Sequence, residues 1–131
     1  MVIFGIGTDI VNIKRMDQSL KKFGVKFKKK HFSNKEITYC DKKKNSSSYY
    51  AKRFAAKEAF SKALGTGIRK GINLKNIEIS NNSSGKPSIS LKGNVAKYLN
   101  KKINKKKYFI YLSLSDDKPW AQATVIISYN K

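Results

Sequence analysis

The chain has one cysteine, one histidine and two prolines among 131 residues, and acids are scarce, with eight Asp and Glu against 29 Lys and Arg. Each scarcity removes a class of function. Cys40 alone cannot form an internal disulfide framework, so the reducing cytosol is the natural compartment and a cytoplasmic protein is expected. Nothing around it marks a nucleophile. His31 alone cannot build a histidine metal cluster or a catalytic triad, and it reads as a surface or packing residue. No apolar run approaches the ~18 residues needed to span a bilayer. The short apolar start carries Asp9 and lacks a basic n-region and a small-residue cleavage site, so neither a membrane span nor a secretory leader is expected.

The shortage of acids leaves a formal charge of +21. Such a field attracts polyanions, whether nucleic acid, anionic membrane, a phosphorylated small molecule or an acidic protein. It does not choose among them, and the lysines are spread end to end beside many Asn and Ile, as genome-wide codon bias alone produces. Hydrophobic residues make up 40%, with seven Phe and seven Tyr, so the chain folds rather than staying disordered. Its length suits one domain over residues 1–131 with a real core.

The stretch least required by a generic fold is RFAAKEAFSKALGTG, from Arg53 to Gly67. The preceding serines offer an N-cap and Gly65 a C-cap, bracketing a helix from about Ser48 to Leu64. Ala51, Ala55, Ala59 and Ala63 form one stripe, Phe60 and Leu64 another, and Tyr50 with Phe54 a third. A helix apolar nearly all round is central and enclosed. Glu58 and Lys62, one turn apart, project between these stripes. They read either as an ordinary i,i+4 pair or as a site where a costly carboxylate meets a cation. Gly65 to Ile68 reads either as a plain C-cap and turn or as a loop whose backbone N–H groups approach an anion, with Lys62, Arg69 and Lys70 beside it.

Val2 to Ile13 is a strand with β-branched residues on both faces, the pattern of a strand buried on both sides. Period two places Gly5, Gly7 and Asp9 on one face. The glycines leave room for a ligand or another backbone, and Asp9 is either a strand-end cap or a ligand. Met16, Leu20 and Phe23 line a short cationic helix ending before Gly24, and Phe27 and Phe32 anchor the lysine-rich run after it. Ser33 to Glu36 has capping-box spacing and opens another short helix. Ile77–Ser80 and Ile89–Leu91 flank a turn cluster and form a hairpin. Val95, Leu99 and Ile103 mark a helix, and Tyr108–Ser115 with Trp120–Tyr129 form a long antiparallel pair. The sum is an α+β domain with a mainly antiparallel sheet packed around a long central helix. The first strand must join that sheet from far away in sequence.

Two carboxylates, Asp9 on a strand and Glu58 on a helix, near an anionic pocket fit Mg²⁺, which takes one or two protein carboxylates and completes its shell with water and phosphate. GIGTDIV (Gly5 to Val11) followed by RFAAKEAFSKALGTGI (Arg53 to Ile68) resembles the two signature motifs of the bacterial holo-acyl-carrier-protein synthases, a 4′-phosphopantetheinyl transferase family. The likeness continues through Ile77 to Ile79, Gly85 to Pro87 and Ala123 to Ile127. It implies an Mg²⁺-dependent enzyme of fatty acid biosynthesis that moves the phosphopantetheine arm of coenzyme A onto a serine of apo acyl carrier protein, releasing adenosine 3′,5′-bisphosphate.

By the same resemblance Asp9 and Glu58 hold the metal, and Asp9 or a metal-bound water takes the serine proton. Lys62 meets the pyrophosphate. Arg53, Gly65, Thr66 and Gly67 shape the coenzyme A site, Lys86 lies near its adenine and 3′-phosphate end, and Arg15 docks the acidic recognition helix of the carrier. A homotrimer with sites between subunits is implied. Many members carry a histidine where this chain has Ser115, Asp116 and Asp117, so that histidine's role does not transfer, and Asp116 is expected to substitute structurally. A small basic module for RNA or DNA is the chief alternative, weakened by scattered lysines and by the lack of a base-stacking aromatic motif. A noncatalytic homologue that binds coenzyme A or the carrier is the second, and the intact Asp9, Glu58 and Lys62 argue against it.

Overall fold

Two glycines decide how the chain packs. In the computed structural model, which describes residues 1–66 and 72–131, strand β1 (Val2–Asn12) lies against helix α3 (Ser46–Leu64). A β-carbon at Gly5 would overlap the Ala63 carbonyl, and one at Gly7 the Ala59 carbonyl. Glycine on the strand and alanine on the helix thus bring the two backbones into contact. Of the two readings of those glycines, close approach of another backbone is the one realised.

Between these elements run helix α1 (Ile13–His31), bent at Gly24 (φ 57°, ψ −136°), and helix α2 (Asn34–Asp41). A 3₁₀ turn at Leu74–Asn76 leads into strands β2 (Ile77–Asn81) and β3 (Pro87–Leu91). Helix α4 (Gly93–Lys102) and strands β4 (Tyr108–Asp117) and β5 (Trp120–Tyr129) complete the chain. Among the described residues all strand pairing is antiparallel, in one sheet of order β1-β5-β4 and a separate β2-β3 hairpin. The first strand does join from afar, with Asp9 opposite Ala123 and Val2 opposite Tyr129.

The enclosed character expected of α3 holds: Tyr50, Ala51, Ala55, Ala56, Ala59 and Phe60 are wholly buried. Ile77, Val95, Leu99, Val125 and Ile127 close the core around it, each worth about 1.5–3 kcal/mol of apolar burial. The helix starts two residues earlier than its serines suggested, at Ser46, and Asn45 in the cap position makes no side-chain capping bond. Gly65 ends it as expected, left-handed at φ 91°. The Ser33–Glu36 capping box is complete. His31 is a packing residue, its ring against Phe27 and Phe54.

One expectation is overturned. β1 is covered on one face only: Ile3, Ile6 and Ile10 are 60%, 65% and 60% exposed. Alternating β-branched residues recorded an apolar outer face, but no element of this chain among the described residues covers it. No described helix is long and apolar enough to cross a membrane.

Candidate active site

The close approach of β1 and α3 places acids from two distant parts of the sequence at one seam. Asp9 follows Gly7 on the strand face turned to α3, where Glu58 and Lys62 lie one turn apart. Lys62 Nζ donates to the Thr8 carbonyl at 2.9 Å and to Asp9 Oδ1 at 3.2 Å. The i,i+4 reading therefore gives way: the ion pair of Lys62 runs across the seam to Asp9. Burial raises the Glu58 carboxyl above its ordinary range, and the Asp9 charge adds to that while Lys62 opposes it. Two acids that feel one another share a site that wants a cation.

Asp9 and Glu58 open into a cleft of about 370 Å³, walled by Asn12, Arg15, Phe27 and Phe54 among others. Asn12 caps α1 by accepting from the Arg15 backbone N–H at 3.1 Å, which sets the guanidinium-bearing residue at the first turn. Among the described residues no group of three or more His, Cys, Asp or Glu gathers to hold a metal. Two hard oxygen donors are nevertheless the complement that suits Mg²⁺, whose remaining positions go to water and phosphate.

Arg53 occupies a different cleft, of about 150 Å³, with Tyr39, Tyr49, Asn81, Gly85 and Pro87. Its Nη2 donates to Asn81 Oδ1 at 2.7 Å, and its guanidinium stacks 4.2 Å from the Tyr39 ring centre. Although Arg53 is almost fully buried, its Nε has no hydrogen-bond partner. The β2-β3 turn beside it is tied together by Asn82 Oδ1, which accepts from the N–H groups of Ser84 and Lys86. Gly85 sits at φ 88°, and Lys86 is exposed. Asp116, on β4, pairs with Lys52 of α3 at 3.7 Å, tying the end of β4 to the central helix.

The expected site residues thus fall in two groups. Asp9, Glu58, Lys62 and Arg15 come together, whereas Arg53 and Lys86 stand on another side of α3. Five positions separate Arg53 from Glu58, about 140° around a helix of 3.6 residues per turn. Gly65 and Thr66 lie at the helix end, and Gly67 falls outside the described residues.

Sequence reasoning missed Lys57, which has no solvent exposure. Its ammonium donates to Glu36 Oε1 at 2.8 Å and to the carbonyls of Leu74 and Ile77. Glu36 also accepts from the N–H groups of Ser33 and Ile79. The available signal was position: Lys57 shares its helical face with Phe60 and Leu64, and a lysine there must be paired.

Residues 5–125 match the 4′-phosphopantetheinyl transferase superfamily. The holo-acyl-carrier-protein synthase of Dinoroseobacter shibae is 43% identical over 129 residues, spanning 97% of this chain and 92% of that protein. That of Pelagibacter ubique is 45% identical over 127 residues, spanning 97% and 98%. Among solved structures, holo-acyl-carrier-protein synthase from Neisseria meningitidis superposes with a TM-score of 0.86 at 38% identity, covering 96% of this chain and 98% of that one. The Helicobacter pylori enzyme in complex with coenzyme A gives 0.81 at 37% identity, covering 94% and 99%. Over nearly its whole length, and with both acids of the seam inside the matched region, the chain belongs to the 4′-phosphopantetheinyl transferase superfamily.

Proposed function

We propose that this protein transfers the 4′-phosphopantetheine arm of coenzyme A to a serine of apo acyl carrier protein, giving holo carrier and adenosine 3′,5′-bisphosphate. The observation that carries this reading is the convergence of Asp9, Glu58 and Lys62 at one open seam, in a chain whose relatives are named for that reaction. The serine oxygen forms a bond to the β-phosphorus of coenzyme A while the bond from that phosphorus to the bridging oxygen breaks. The departing phosphate leaves with the adenosine.

Asp9 and Glu58 are the residues that would hold Mg²⁺, which when bound supplies charge neutralisation at the pyrophosphate. Lys62, on the same seam, stabilises the charge that grows on the phosphate oxygens as the bond breaks. The serine proton passes to Asp9 or to a water beside it. Arg15, at the rim of the cleft, meets the acidic recognition helix of the carrier, and the surrounding positive field speeds the encounter. Gly65, Thr66 and Gly67 shape the coenzyme A site. Arg53 and Lys86 receive the adenine and 3′-phosphate end, where the unpaired Nε of Arg53 supports a role toward an anion.

Glu58 and Arg53 face about 140° apart on one enclosed helix, and they line separate clefts. That separation supports a homotrimer in which one ligand bridges the acid cleft of one copy and the Arg53 cleft of the next. The exposed isoleucines of β1 offer the apolar surface on which copies would meet. The reaction serves fatty acid biosynthesis in the cytoplasm, in keeping with one buried free cysteine.

Incubation with apo acyl carrier protein, coenzyme A and Mg²⁺ tests the reading through the carrier's intact mass. A gain of one phosphopantetheine arm that a chelator abolishes is expected. Glu58→Ala should keep the wild-type circular dichroism spectrum and lose the gain. Equal activity in that variant would sink the metal assignment.

A further inference from the structure

Lys62 is held in a way that its role toward pyrophosphate does not require. Two of its three N–H donors are used inside the protein, at the Thr8 carbonyl and at Asp9 Oδ1. Its side chain is still 56% exposed, and that of Asp9 only 18%. The lysine therefore closes over the acid from the solvent side. An ammonium 3.2 Å from a carboxylate oxygen and a divalent ion on the same carboxylate lie close enough to repel strongly.

We propose that Lys62 is a displaceable latch on Asp9, a counter-cation that a divalent ion must push aside and whose release frees the ammonium for an incoming phosphate. The inference rests on the proposed assignment of Asp9 and Glu58 as the ion's ligands. The geometry makes the exchange cheap. Lys62 is tethered on α3 one turn beyond Glu58, so leaving Asp9 costs it one partly exposed ion pair and one hydrogen bond, and solvent replaces both. Phosphate capture is then linked to ion binding. Whatever anion pairs with the freed ammonium removes a competitor of the ion, and by reciprocity the ion improves the site for the anion.

The test needs neither coenzyme A nor carrier. Mn²⁺ affinity is measured on the intact protein by the electron paramagnetic resonance signal of free Mn²⁺, for wild type, Lys62→Met, Arg15→Met and Asp9→Asn. Lys62→Met keeps the aliphatic stem and should bind Mn²⁺ about five-fold more tightly or better. Arg15→Met removes a charge from the same cleft without touching Asp9 and should change affinity less than about two-fold. Unchanged or weaker binding in Lys62→Met overturns the latch, as does equal tightening in both variants, which would make the effect a general field. Binding that survives Asp9→Asn unchanged, or no binding to any of the four proteins, overturns the ion's assignment as well. The mass assay reports separately on phosphopantetheine transfer, so the latch can fail while the proposed function stands.

Discussion

Of the three lysines on helix α3, Lys57 and Lys62 stand five positions apart, each paired with an acid from another element, and these two pairs differ in almost every physical respect. Lys57 and Glu36 have no exposed side-chain surface, and the ammonium and both carboxylate oxygens all have partners, drawn from each other, Ser33, the 3₁₀ turn and β2. Burial pulls the Lys57 ammonium below its ordinary range, and the Glu36 charge pulls it back. Lys62 and Asp9 stand at a longer distance, the lysine half open to solvent, beside a second acid whose carboxyl is pushed up. A sealed and fully satisfied pair can only hold the fold, because any departure leaves a bare charge inside it. An open, half-satisfied pair can exchange partners. On the proposed reading, that freedom to exchange is what the acid cleft uses.

The sharpest way to break that contrast is to open the sealed pair. Lys57→Met keeps most of the stem but leaves the buried Glu36 carboxylate without its counter-cation, held only by the N–H groups of Ser33 and Ile79, a change that costs about 3–5 kcal/mol. Urea unfolding should show this as a lower midpoint with little change in slope. Replacing both members, Lys57→Met with Glu36→Leu, should recover part of the loss. Recovery would be incomplete because the carbonyls of Leu74 and Ile77 and the N–H groups of Ser33 and Ile79 would then lack partners. A single variant as stable as wild type would mean the pair holds nothing.

The open pair depends on the glycine seam, which offers a second and smaller lever. Gly7→Ala drives a methyl group into the Ala59 carbonyl. Backbone cannot rotate away as a side chain can, so β1 and α3 must part, at a cost of about 1–3 kcal/mol. Parting them also carries Asp9 away from Glu58 and Lys62. Stability by urea unfolding and transfer by carrier mass should therefore fall together. Full transfer with lowered stability would show that the acids tolerate a looser seam than their geometry indicates.

Much of this architecture is legible in the amino-acid sequence. Gly65 as a cap, the Ser33 capping box and the β2-β3 hairpin are local features, written in a few consecutive residues. Asp9 and Glu58 stand out because each is a charge in an apolar pattern, and a charge out of place is visible without knowing its partner. Lys57 is not legible in the same way. One lysine among many looks ordinary until Glu36, 21 residues earlier, and the two carbonyls after residue 73 are brought to it. The outer face of β1 fails for the opposite reason. Its isoleucines state that the face is apolar, yet sequence cannot say whether the same chain or another copy covers it. The separation of Arg53 from Glu58 is in principle available, since it follows from helical periodicity alone.

The smallest expected effect joins the two regions through His31. Its ring lies against Phe54, which lines the acid cleft, and it feels the charge of Lys57. Burial lowers its pKa from 6.5, and the charges of Lys30 and Lys57 lower it further. Between the lowered folded value and 6.5 the unfolded chain binds more protons than the folded one, so stability rises with pH through that window. Acidification below pH 6.5 should weaken the fold until the folded imidazole is itself protonated. With no other histidine in the chain, His31→Gln should flatten the slope of unfolding free energy against pH in that range. Because Lys57 contributes its charge to the depression, Lys57→Met should also bring the His31 titration, followed by its imidazole proton resonance, closer to 6.5. A titration that ignores Lys57 would mean the sealed ammonium is screened from its neighbour, and that the pair is neutralised within itself more completely than its burial requires.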